Sequence, residues 1–266
     1  MWIALGRVAL GAITLVVLTL WRRERLRLEP RLVAHLTVAA LLFNAIPFTL
    51  FAYGEKHVSS IVAGLWNATT PLWVLVVILL AFGEEHPSRE RVAGLGVGFV
   101  GVAMLLGPWR GLGHGELVGH LACAGAAFCY GVGFPYTRRY LASRGESGVA
   151  LSAGQLVCAT ILLALIAPFA SAPSTNIGLD GLGSVLALGV LGSGIAYALN
   201  YSIVRAAGSA VASTVTYVIP IFSTLLGVVV LGESLSWNQP AGALVLLLGV
   251  AISDRRLRLG RRPALT

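Results

Sequence analysis

The chain has 266 residues, 57% of them hydrophobic and only 11% charged, with a mean hydropathy of +0.85. An ordinary soluble domain carries roughly 25% charged residues, so the composition excludes a water-soluble globule and a disordered chain. Three cysteines (Cys123, Cys129 and Cys158), all within apolar runs, exclude a disulfide scaffold. The net charge of +8 comes from arginine and one lysine, Lys56, gathered in short bursts between apolar runs, which is a pattern of membrane loops and not of a nucleic-acid-binding face.

A helix needs about 20 mainly apolar residues to cross about 30 Å of hydrocarbon. In chain order, such stretches run over residues 2–21, 32–53, 57–82, 91–107, 116–137, 149–170, 181–204, 207–231 and 237–253. None shows the ~10-residue alternation of a membrane barrel strand. The expected fold is an all-α integral membrane protein of nine transmembrane helices with short loops. Met1 starts inside the first apolar stretch and the arginines follow it, the reverse of a cleavable signal peptide.

Cytoplasmic loops of membrane proteins carry an excess of Lys and Arg. With nine alternating spans, sixteen cations fall on one side, in the loops after residues 21, 82, 137 and 204 and in the tail 254–266. The other side receives Lys56, Arg110 and Arg7. That split predicts a bacterial inner-membrane protein with a cytoplasmic C-terminus.

Two segments repeat at a fixed offset. SSIVAGLWNATTPLWVLVVILLAFGE, around Pro71 and ending at Glu84, matches GSAVASTVTYVIPIFSTLLGVVVLGE, around Pro220 and ending at Glu233. Gly94 and Gly101 then match Gly242 and Gly249. The sidedness of the loops inverts the two copies, so each repeat needs an odd number of helices. Residues 1–107 therefore read as a first repeat and 116–253 as a second, a 5+5 plan in which the stretch 116–137 has no partner in the first half. Inverted repeats rocking about a midplane site are a device of secondary transporters.

The Pro…Gly-Glu…Gly…Gly pattern closing each half, with short loops and ten expected spans, resembles the EamA-type branch of the drug/metabolite transporter superfamily over essentially the whole chain. That resemblance implies a carrier that exports a small metabolite, such as an amino acid, by alternating access. The departure is the absent first helix, which in the family helps line the central cavity. A misassigned start codon or a nine-helix variant accounts for it, and a non-transporting or truncated membrane subunit is the alternative reading.

Candidate pathway residues follow from polarity at depth. Pro71 and Pro220 cannot donate to the carbonyls of Asn67 and Thr216, and paired proline-interrupted spans in matching halves point to a transporter site. Trp66, Thr70 and Tyr217 enrich the same depth. Asn44, Tyr197, Asn200 and Tyr130 are further polar or aromatic groups inside spans, where such side chains face a bundle interior. Tyr201 reads instead as an interfacial residue, Arg7 as a side chain snorkelling to the interface, and Glu84 and Glu233 as caps on the turn that follows them. All acidic residues fall in loops or at helix ends, so no carboxylate relay is expected and the solute is expected to be neutral or zwitterionic. No cofactor or metal is expected. An integral-membrane enzyme is the remote alternative, for which no convergent His, Asp, Glu, Ser or Cys cluster is visible. The expected partners are the lipid bilayer and a small-molecule substrate.

Overall fold

The computed structural model describes residues 2–24, 29–82, 89–107, 114–170, 178–217 and 219–259. These residues form helices and turns, with no strand among them. Six helical segments are long and apolar enough to span a membrane: Trp2–Trp21, Pro30–Gly54, Ser60–Ala81, Gly115–Ala142, Gly148–Phe169 and Gly181–Ala207. Shorter apolar helices cover Gly96–Leu105 and Ile219–Val229. Large apolar side chains such as Phe169, 92% exposed, and Leu80, 82% exposed, point outward. Such exposure is untenable in water and is the expected state against lipid tails.

Four of the expected spans are interrupted. Residues 30–54 form α2 (Pro30–Ala40), a π-turn at Leu41–Ala45 and α3 (Ile46–Gly54). Residues 60–77 form α4 (Ser60–Asn67) and α5 (Thr70–Val77). Residues 179–207 form α9 (Leu179–Gly189), a π-turn at Val190–Ile195 and α10 (Ala196–Ala207). Residues 209–229 form α11 (Ser209–Ser213), a 3₁₀ turn at Thr214–Tyr217 and α12 (Ile219–Val229). The remaining helices are α1 (Trp2–Trp21), α6 (Arg89–Leu106), α7 (His114–Thr137), α8 (Gly148–Ala170) and α13 (Asn238–Leu259). The π-turns at Leu41 and Val190 begin 149 residues apart, the spacing that also separates Pro71 from Pro220, while further π-turns at Ile78–Phe82 and Arg138–Ala142 do not repeat at that offset.

The chain divides into two compact units, each drawing helices from both sequence halves. The first comprises residues 1–52 and 132–212. Within it α1 packs on α8, and each of these helices also packs on the other half's π-turn. Val8, Ala12 and Leu15 of α1, on one helical face, meet Val149, Ala153, Leu156 and Leu163 of α8 in its core.

The second unit comprises residues 53–131 and 213–266. Its closest pair is α6 against α13, the helices that carry the repeated glycines. A Cβ on Gly242 would lie 2.6 Å from the Leu105 backbone nitrogen, and one on Gly249 would lie 2.6 Å from the Gly94 carbonyl oxygen. The two backbones therefore touch, running antiparallel. α4 crosses α12 in the same intimate way at Gly64, facing Ser223, and at Gly227, facing Ile61.

The Gly-Glu pair after α12 has a clear physical role. Gly232 has φ +67°, a left-handed conformation that disfavours any other residue, and the turn returns the Glu233 amide to the Gly227 carbonyl at 2.9 Å. The carboxylate then accepts from the backbone N–H of Ser60 at 2.8 Å and of Ile61 at 3.1 Å, while Ser59 Oγ accepts from Val62 at 3.3 Å. Three of the four orphan donors of α4 are thus satisfied, and the anion lies at the positive end of the helix dipole. This corrects the expectation that Glu233 caps the turn after it: it caps a helix some 170 residues earlier. Glu84, its repeat counterpart, lies outside the described residues. Glu233→Ala is expected to lower stability by about 1–2 kcal/mol, and Glu233→Gln by less, since an amide oxygen still accepts. Thermal unfolding in detergent micelles measures this, and an unshifted midpoint for Glu233→Ala contradicts the cap.

Candidate functional site

In the second unit both proline-bearing spans are broken helices, and the breaks are built alike. α4 ends at Asn67, Ala68 and Thr69 form a tight turn, and α5 begins with Thr70 and Pro71. α11 runs into the 3₁₀ turn, and α12 begins with Ile219 and Pro220. Each proline therefore occupies a first helical turn, where its missing N–H costs nothing. Each break carries a threonine repairing a carbonyl three residues back: Thr69 Oγ1 donates to Trp66 O at 2.7 Å, and Thr216 Oγ1 to Ser213 O at 2.7 Å. α5 also packs against the 3₁₀ turn, so the two breaks lie together in this unit.

The structure places Thr70, Pro71, Thr216 and Pro220 buried at these breaks. Thr70 Oγ1 lies 3.4 Å from Asn67 Oδ1, and Asn67 is half-buried. The Tyr217 side chain lies outside the described residues. Tyr130 is half-buried on α7. Trp66, 6% exposed, donates its indole N–H to His120 Nδ1 at 2.9 Å. The indole is a donor only, so Nδ1 carries no proton and the imidazole keeps its proton on Nε2.

In the first unit the polar candidates form a network around the π-turn Leu41–Ala45. Pro47 cannot donate to the Phe43 carbonyl, four residues back. The Tyr197 hydroxyl donates there instead, at 2.9 Å, and accepts from Asn44 Nδ2 at 2.8 Å. Gln155 Nε2 donates to Asn44 Oδ1 at 2.9 Å, and the Tyr201 hydroxyl donates to Gln155 Oε1 at 2.6 Å. Asn44 and Gln155 are fully buried and Tyr201 is 2% exposed. Donors and acceptors are matched throughout, so the network reads as a rigid clasp joining the π-turn, α8 and α10. Asn200 is half-buried on α10, outside this chain of bonds.

Two readings change, and one residue joins the site. Tyr201 is enclosed and not displayed at a rim, because Gln155 supplies the acceptor its hydroxyl needs. Arg7 does not snorkel: its Nε donates to Ser193 Oγ at 3.2 Å and its guanidinium lies 4.3 Å over the Phe48 ring. The Arg7–Ser193 bond clasps the second π-turn much as Gln155–Asn44 clasps the first. Gln155 itself went unselected, although a glutamine inside the apolar run 149–170 is a signal of the same kind as Asn44.

The description "EamA-like transporter family" matches residues 1–107 and 117–253. Similar curated proteins include the uncharacterized transporter YvbV of Bacillus subtilis (strain 168), 26% identical over 264 residues that cover 97% of this chain and 84% of the relative. An uncharacterized transporter of Archaeoglobus fulgidus is 26% identical over 205 residues, covering 76% of this chain and 71% of the relative. A solved crystal structure superposes with a TM-score of 0.71 at 23% identity, covering 96% of this chain and 88% of its own, and that likeness concerns the fold.

Proposed function

Because the chain belongs to the EamA-like transporter family and is a multi-pass membrane transporter, we propose that it is a secondary carrier moving a small neutral or zwitterionic metabolite, such as an amino acid, outward by alternating access. The observation that carries this reading is the pairing of two proline-started half-helices, α5 and α12, at breaks that pack together within one unit. A broken span offers backbone carbonyls and N–H groups that an intact helix keeps for itself, and a solute can use them at membrane depth. Asn67, Thr70 and Thr216 add side-chain donors and acceptors beside those ends, and Trp66 adds an aromatic wall. The arginine-rich loops support a bacterial inner membrane with the C-terminus in the cytoplasm.

The test is counterflow of radiolabelled amino acids in proteoliposomes. Asn67→Ala and Tyr217→Ala are each expected to slow flux about tenfold, the loss of one hydrogen bond or aromatic contact to the solute, while inserting normally. Unchanged flux in both discards this site. The acidic residues fall outside the span interiors, so collapsing a pH gradient is expected to leave the flux unaltered. Uphill movement that vanishes with the gradient would instead indicate proton coupling.

A further inference from the structure

A cavity of about 580 Å³ opens at one end of the second unit, bounded by the loop after α3, the start of α7, the end of α6 and the start of α13. Its volume falls within the roughly 300–1,000 Å³ of small-ligand pockets, and its wall is unusually polar for this chain. The loop contributes Lys56, His57 and Ser59, α7 contributes Glu116 and His120, and α13 contributes Asn238. Lys56 and Glu116 bring opposite charges to one cavity without an ion pair between them among the described residues. Both are exposed, and each keeps its charge available.

Two further observations point to a ligand. Asn238 is 3% exposed, and its Nδ2 donates to the carbonyls of Met104 at 3.3 Å and Leu105 at 3.1 Å at the C-terminal end of α6. Its Oδ1 is buried with no donor among the described residues. That acceptor is enclosed behind the cavity wall, where its unshared lone pairs lend the cavity a local negative potential that favours a cationic group. His120, 7% exposed, has its Nδ1 bonded to Trp66 and so is neutral, offering a single N–H donor and no positive charge. The cavity therefore holds one cation, one anion and neutral donors, with an unmatched acceptor behind its wall.

We infer that this cavity is a binding site for a small zwitterion, with the ligand's ammonium group directed to Glu116 and its carboxylate to Lys56. A simple anion meets the Glu116 carboxylate and a simple cation meets the Lys56 ammonium, so only a ligand bearing both charges pairs with both. The site's role as a docking place for the transported solute rests on the carrier reading; its binding of a zwitterion does not. His120 joins the two regions physically, since it lines the cavity and also holds Trp66 of the α4 break.

Scintillation proximity with full-length protein in micelles and radiolabelled alanine tests the site, with alaninamide and propionate as the single-charge competitors. Alanine is expected to bind saturably, with each competitor at least about tenfold weaker. Lys56→Gln and Glu116→Gln are each expected to weaken alanine about tenfold at unchanged thermal stability, since both side chains are exposed. Absence of saturable alanine binding overturns the site, as does wild-type affinity in both variants. Proteoliposome flux separates this from the carrier reading. Binding that Glu116→Gln weakens, with no flux of any amino acid, leaves the cavity and removes the carrier. Flux and alanine binding that neither variant alters leave the carrier and remove the cavity, whereas weakened binding with unaltered flux removes only the cavity's role in transport.

Discussion

Gly249→Leu is expected to abolish recovery of folded protein, while Gly96→Leu on the partner helix is expected to behave as wild type. The contrast comes from what each new side chain meets. At Gly249 a Cβ would press on the backbone of Gly94 and Gly98, and helical backbone cannot swing aside as a side-chain tip can. At Gly96 nothing lies within 4 Å. Overpacking a well-filled interface costs about 1–3 kcal/mol when side chains can adjust. Forcing α6 and α13 apart also strips the contacts along the seam at Gly101 and Gly242, so the loss lies beyond that range and is a large share of the roughly 5–15 kcal/mol of native stability. Size-exclusion monodispersity after detergent extraction reads the outcome. A symmetric Gly249→Leu peak of wild-type height would mean that these helices do not meet backbone to backbone.

The second large effect is expected at Gln155, which sequence polarity alone did not single out. Gln155→Leu removes the donor to Asn44 Oδ1 and the acceptor for the Tyr201 hydroxyl, leaving two enclosed polar groups without partners. Each such orphan costs about 1–3 kcal/mol, whereas a polar contact between membrane helices averages about 0.6 kcal/mol because the unfolded chain in lipid also finds partners. The enclosure decides between these figures, since Asn44 and Tyr201 are shut off from water, and a loss of about 2–4 kcal/mol is expected. Asn44→Leu should cost a similar amount, and the double variant clearly less than the sum, because the bond both remove is counted once. Asn200→Leu, outside the network, should change little. Midpoints of denaturant unfolding in mixed micelles measure all four, and strict additivity of Gln155→Leu with Asn44→Leu would refute the network.

Much of the architecture was legible in one dimension because lipid is a uniform solvent. Apolar runs of span length stand out residue by residue, and the runs 2–21 and 149–170 agree with α1 and α8 to within a residue. The duplication was legible too, since Pro71 and Pro220 recur 149 residues apart and the paired glycines 148 apart, after a one-residue slip. Proline carries a purely local effect, the missing N–H, but Pro135 and Pro168 lie inside the continuous helices α7 and α8, so the helix breaks beside Pro71 and Pro220 were decided by the structure.

What the local pattern lacks is the identity of partners. Glu233 shows as a carboxylate at a helix end, but nothing near it in sequence names Ser60 and Ile61 as the donors it serves. Tyr201 and Arg7 were assigned to a rim because a polar tip on an apolar run ordinarily seeks water. Gln155 and Ser193, brought across from other helices, supply the partners that water would have been. Composition and periodicity thus determined by themselves that this chain spans a membrane and repeats. Tertiary structure alone decided which polar groups neutralise one another and which, like Asn238 Oδ1, stay open. The reason is physical: transfer to lipid is a property of each segment, whereas satisfying a buried donor depends on how closely two distant backbones approach, and here glycine contacts set that distance.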